Sequence, residues 1–180
     1  MDKIIKDGIV SIIKSNRDLL KIPLKQKAKF EGWLKFELAY YLCQIKMENV
    51  EVEYQSYYTR NRTDIVFFHN DNFYSVELKT CNTNWGIDGI NPNTRPITKN
   101  IQSVIDDAIK LNSTQGIVAF TIFPIPINDN RWKKYIERIA EKTGIEIKSE
   151  NCEIIQLDVN EKKSCNLVVC TFKSKKIRNW

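Results

Sequence analysis

The hydrophobic period changes several times along the chain, and each change predicts an element boundary. Over 2–20, Ile4, Ile5, Ile9, Ile12, Ile13, Leu19 and Leu20 recur at helical spacing and predict an amphipathic helix that Pro23 breaks. A second helix is predicted over 25–47, with a broad apolar stripe of Phe30, Trp33, Leu34, Leu38, Tyr41, Leu42 and Ile45. The period then shortens. Residues 51–58 alternate and carry aromatics, which predicts a strand, and 63–69 and 73–79 predict two more. Only Asn70-Asp71-Asn72 separates the last two, so they form a hairpin. An irregular stretch over 80–96 is rich in Asn, Gly, Thr and Pro. Helical spacing returns over 97–111 with Ile97, Ile101, Val104, Ile105 and Ala108. The unbroken apolar run 116–123 suits a buried strand. Asn128-Asp129-Asn130 offers a cap for a helix over 131–142 that Gly144 ends. Strands near 152–159 and 167–173 close the order. Antiparallel strands followed by a helical crossover predict an α/β fold, a mixed sheet with helices on its faces. No linker divides the 180 residues, so one domain is expected, large enough for a core without disulfide or metal staples.

Composition narrows the chemistry. Lys and Arg number 28 against 22 Asp and Glu, a net charge of +6 that favours a polyanionic partner such as nucleic acid. The lone histidine, His69, excludes zinc hydrolases built on two or three imidazoles, and at the hairpin turn it is no candidate for a Ser-His-Asp triad. Cys43, Cys81, Cys152, Cys165 and Cys170 lack zinc-ligand or redox spacing and are odd in number, so reduced thiols in a cytoplasmic protein are expected. The most apolar stretch, 116–127, is too short to span a bilayer and contains Pro124 and Pro126. The N-terminus interleaves charges with its isoleucines, unlike a signal peptide. No membrane association is therefore expected.

The hairpin carries the site. A turn centred between Asn70 and Asp71, with a loop of two residues or four, sets Phe68 opposite Phe73, Val66 opposite Ser75, Asp64 opposite Glu77 and Arg62 opposite Lys79. Two carboxylates then share one face with Lys79, two residues beyond Glu77. Like charges set opposite each other need compensation. A divalent cation supplies it fully, and Arg62 and Lys79 supply it in part. The competing reading is a charge quartet on a solvated sheet face. Phosphodiester hydrolysis needs an activated water, a positioned phosphate and neutralised charge. Two carboxylates can hold Mg²⁺, with the Leu78 carbonyl as a further oxygen ligand, and a lysine beside them can assist the attacking water.

Asp64, twelve intervening residues, and Glu77-Leu78-Lys79 resemble the PD-(D/E)XK nuclease superfamily. The resemblance implies a restriction-endonuclease-like core over about 25–123, a central mixed sheet flanked by helices in αβββαβ order. An extra N-terminal helix and a C-terminal helix and strands would decorate it. It implies Asp64 and Glu77 as metal ligands for Mg²⁺, with Mn²⁺ as a substitute, and Lys79 as the catalytic lysine. The family often adds a glutamate from the first core helix. Glu37 and Glu31 are the candidates, both within or at the edge of the apolar stripe, and Glu37, a turn from both Trp33 and Tyr41, is preferred. Thr63 stands where the family's name-giving proline would be. The expected activity is a metal-dependent endonuclease acting on DNA rather than RNA. Specificity would come from loops, homodimerisation or a recognition subunit. A non-catalytic nucleic-acid- or protein-binding member of the same fold is the alternative. Arg62, Trp85, Arg95 and Lys99 are candidates for touching nucleic acid, Trp85 by stacking on a base. Gln102 and the basic tail of Lys173, Lys175, Lys176 and Arg178 are weaker ones.

Overall fold

The structure is a computed structural model that describes residues 1–56, 62–91, 96–111 and 115–174. Arg95, Lys175, Lys176 and Arg178, named above as candidate contacts, lie outside the described residues.

Three helices come first: α1 (Asp2–Ser15), α2 (Arg17–Gln26) and α3 (Glu31–Gln44). The first break falls at Asn16 and not at Pro23, which lies inside α2. A proline removes its own N–H bond to the residue four back and crowds that residue's carbonyl. Here that residue is Leu19, on an exposed turn. Lys27, in the left-handed region at φ 49°, ends α2, so Lys25 belongs to α2 and the next helix begins at Glu31. Strands β1 (Glu48–Gln55), β2 (Arg62–His69) and β3 (Asn72–Asn82) form an antiparallel meander. Asn70 and Asp71 both have positive φ, the geometry of a two-residue turn matched to strand twist, and they pair His69 with Asn72. Helix α4 (Thr98–Lys110) crosses over to β4 (Gly116–Ile125), which runs parallel to β3. Helix α5 (Trp132–Thr143), ended by Gly144 at φ 64°, leads to the antiparallel pair β5 (Cys152–Asn160) and β6 (Lys163–Lys173).

The strand order is β1-β2-β3-β4-β6-β5, a six-stranded mixed sheet among the described residues. Strand alternation splits the interior into two cores. Ile117 and Ala119 of β4, with Ile65, Phe67, Val76 and Leu78, meet α1, α2 and α3 on one face. Val118, Phe120 and Ile122 meet α4 and α5 on the other. That is an α/β fold with helices on both sides of the sheet. Strand β4 is buried along its whole length because it lies between both layers. Close packing of α1 on α3 depends on Gly8, where an added Cβ would stand 2.5 Å from the Tyr41 ring. No helix among the described residues is long and apolar enough to cross a membrane.

Candidate active site

The β2–β3 ladder is regular from His69–Asn72 to Ile65–Val76, the register expected from the turn. It ends one pair short of Asp64 and Glu77, although both strands continue. Beyond that point side chains take over the hydrogen bonding. The Leu78 N–H donates to Asp64 Oδ2 (2.8 Å), and the Thr80 N–H donates to Glu31 Oε2 (3.1 Å). Two backbone donors of β3 are thus satisfied by carboxylates, as buried N–H groups require. In a strand a residue's N–H and C=O project to the same side, so the Leu78 carbonyl faces the same gap. Lys79 Nζ donates to it at 3.3 Å.

The gap draws charged groups from both helical layers. From α3 comes Lys35, buried at 8% exposure, whose Nζ donates to Asp64 Oδ1 (3.2 Å) and to Glu53. From α4 come Asp107, its Oδ2 3.0 Å from Lys79 Nζ, and Lys110, whose Nζ donates to Glu77 Oε1 (2.6 Å) and to the Arg62 carbonyl. Lys79 also lies 3.7 Å from Glu31 Oε1. Helix α4 runs back along β3, so Asn100 meets Asn82 (2.9 Å), Asp107 meets Lys79, and Lys110 meets Glu77.

Burial sets the electrostatics. Glu77 is 3% exposed, and desolvation pushes its pKa up to about 7 against the opposing hydrogen bond from Lys110; Asp107 and Asp64 raise it further. Desolvation also raises Asp107, against the attraction of Lys79. For Lys79 desolvation acts downward, but the carboxylates of Asp107, Glu31 and Asp64 outweigh it and raise its pKa. Asp107 Oδ2 is buried and has Lys79 as a charge partner at 3.0 Å, yet has no hydrogen bond of acceptable geometry.

The predicted residues divide clearly. Asp64, Glu77, the Leu78 carbonyl and Lys79 meet at the gap. Glu31 joins them and Glu37 does not. Glu37 lies two residues past Lys35, about 200° around the helix, on the side of Tyr41, whose ring rests against Gly8 of α1. Glu37 forms no hydrogen bond or ion pair with described residues, so the preference for Glu37 is corrected in favour of Glu31. Arg62 extends into solvent, with Glu53 Oε2 3.8 Å from its Nη1, and Lys110 is the cation that meets Glu77. Trp85 is not a free stacking platform. It is buried, with Tyr135 stacked on its ring and Arg131 4.4 Å from the ring centroid. The segment after β3 is tied down as well. The Thr83 N–H donates to the Phe123 carbonyl (2.7 Å), Lys27 Nζ to the Trp85 carbonyl (2.8 Å), and the Asn91 N–H to the Lys25 carbonyl (2.7 Å). Lys99 is exposed on the first turn of α4, and Gln102 faces away from β3 and donates to Asp106 (3.0 Å). Sequence reasoning missed Lys35, Asp107 and Lys110. Lys35 had a signal, since it interrupts the apolar stripe between Leu34 and Leu38.

The donors suit a hard cation in kind: carboxylates of Asp64 and Glu77, the Leu78 carbonyl, and the buried, hydrogen-bond-free Asp107 oxygen. Among the described residues no three of His, Cys, Asp or Glu converge on one point. Water would therefore complete any coordination shell, and Lys110 would have to leave Glu77. No family model matches the chain, and neither a curated protein nor a solved structure matches it.

Proposed function

We propose that this chain is a metal-dependent nuclease that hydrolyses phosphodiester bonds of DNA, as an endonuclease, with Mg²⁺ as cofactor and Mn²⁺ as substitute. The observation that carries the reading is the opening between β2 and β3, where Asp64, Glu77, the Leu78 carbonyl and Lys79 share one partly solvated gap. The order of helix, three-strand meander, crossover helix and parallel strand supports the resemblance to the PD-(D/E)XK superfamily.

Asp64, Glu77 and the Leu78 carbonyl would hold the metal, which when bound acidifies a water and draws charge from the phosphate. Asp64 is oriented by its bond from Leu78 N–H, which would aim the carboxylate at the gap. Lys79 stays protonated at neutral pH because its carboxylate neighbours outweigh its burial. Its work is to donate to the attacking water or a phosphate oxygen and to stabilise the developing charge, not to accept a proton. Asp107 and Glu31 fix the direction of the Lys79 ammonium. Lys110, released from Glu77, supplies a further cation beside the polymer backbone.

A non-catalytic nucleic-acid- or protein-binding role has one specific observation in its favour: Asp64 and Glu77 are each already paired with a lysine. One experiment separates the two. Supercoiled plasmid is incubated with the protein and Mg²⁺, with and without chelator, alongside Asp64→Asn and Lys79→Met variants shown to be folded by circular dichroism. The nuclease reading expects chelator-sensitive nicking that falls at least about 100-fold in both variants. Nicking that persists in chelator, or equal nicking by either variant, overturns it.

A further inference from the structure

A second chemical feature lies at the far end of the sheet, unconnected with the carboxylate gap. Cys152 opens β5, the edge strand, and Cys170 lies directly opposite it on β6. Their sulfurs are hydrogen-bonded at 3.1 Å. Residues directly opposite on antiparallel strands have Cα atoms about 4.5–5.5 Å apart, inside the range a disulfide accepts, and closing to the bonded distance needs about 1 Å of sulfur movement. The two cysteines lie 18 positions apart in the chain, so the pairing leaves no spacing signature.

The two thiols are unequal. Cys170 is fully buried, whereas Cys152 is partly exposed and lines two cavities. One, of about 460 Å³, is bounded by Trp132, Ile136, Ile147 and Ile154; the other, of about 450 Å³, is bounded by Asp2, Lys6, Asn151 and Thr171. Cys152 therefore borders space open to small reagents, while Cys170 is closed off from solvent. The hydrogen bond between the two sulfurs holds the Cys152 pKa down against its partial burial, with Lys6 adding to the effect. Burial holds that of Cys170 well up. This is an accessible nucleophile with a sheltered resolving thiol beside it.

We propose that Cys152 and Cys170 form a hydroperoxide-responsive dithiol that closes reversibly into a cross-strand disulfide. The Cys152 thiolate attacks a peroxide oxygen. The O–O bond breaks, the distal oxygen leaves as water or alcohol after taking a proton, and Cys152 becomes a sulfenic acid. The Cys170 sulfur then attacks the Cys152 sulfur, the S–O bond breaks, and the hydroxyl leaves as water with the Cys170 proton. Two thiols are oxidised and one peroxide is reduced.

The test treats the full chain with hydrogen peroxide on a Cys43→Ser background, which removes the exposed thiol on α3. Intact mass is read before and after reductant, and the linked peptides are sequenced. The expected product is lighter by two hydrogens, is restored by dithiothreitol, and joins Cys152 to Cys170. The link should survive Cys165→Ser and vanish in Cys170→Ser, where Cys152 instead gains oxygen. Folding of each variant is checked by circular dichroism. The linked form should melt several degrees higher than the reduced form of the same sample, because the bond shortens the free loop of the unfolded chain. Irreversible oxygen addition at Cys152 with Cys170 present, or a link that persists in Cys170→Ser, overturns the proposal. Neither result depends on nuclease activity.

Discussion

The two ends of the β2–β3 hairpin are built from the same strands and do opposite things. Near the turn, from Ile65–Val76 to His69–Asn72, backbones pair and Phe67 stacks on Tyr74 with centroids 5.3 Å apart. At the open end the ladder stops and the carboxylates of Asp64 and Glu31 take the β3 amides. Apolar pairs hold strands together because their contact removes surface from water. At the open end the strands carry acidic side chains in place of apolar pairs, and the gap admits side chains from both helical layers. The closed end supplies rigidity and the open end supplies chemistry, so changes at the two ends should have separable consequences.

The largest expected effect is at the closed end. Phe67→Ala should cost about 4 kcal/mol of unfolding free energy, read by denaturant titration, because Phe67 is fully buried. Any cleavage per folded molecule should remain. Loss of cleavage with the fold retained would break the division between the ends. At the open end, Lys35→Ala leaves the carboxylate of Asp64 without its buried partner and should cost about 3 kcal/mol. A variant as stable as wild type would mean that Asp64 is better solvated than its contacts imply.

The pH dependence sharpens the comparison. The folded-state pKa of Glu77 is raised from 4.5 to about 7, so the native state keeps a proton that the unfolded chain has released. Stability from this group is fully present below pH 4.5 and falls as pH rises through about 7. Relative to Glu77→Gln, wild type should lose up to about 3 kcal/mol across that window. Parallel curves for the two proteins would remove the burial account. Binding of Mn²⁺, read as a melting-temperature shift, should strengthen over the same rise in pH as the proton departs. The smallest expected effect is on the α4 rung beyond the site. Asn100→Ala removes the hydrogen bonds to Asn82 and should cost about 1 kcal/mol.

Much of this was legible beforehand because it is periodic. The order of elements follows from spacing apart from the break at Asn16, which makes three N-terminal helices where the pattern predicts two, and Asn70-Asp71 set the hairpin register from the turn alone. Asp64, Glu77 and Lys79 followed from that register, because pairing across a short turn is local. Errors arose where a local rule met tertiary context. Local sequence makes Pro23 a breaker, yet a helix can carry a proline where the orphaned carbonyl is on an exposed turn. Trp85 follows the lysine in an irregular stretch, where local sequence allows a base-stacking ring or a packed one; Arg131 and Tyr135 cover it, and it packs. Glu37 has apolar neighbours, but Tyr41 packs on α1, and the rotation of α3 gives the gap to Glu31 and Lys35.

The amino-acid order by itself determined the alternation of elements, the hairpin register and the three polar residues at its open end, since each depends on residues close in the chain. Tertiary structure alone decided which helix faces those residues, and so brought Lys35, Asp107 and Lys110 to the gap and Cys152 to Cys170. Such meetings depend on how helices rotate onto a sheet and which strands become neighbours. Those choices are made by the packing of two cores at once, not by any one segment's pattern.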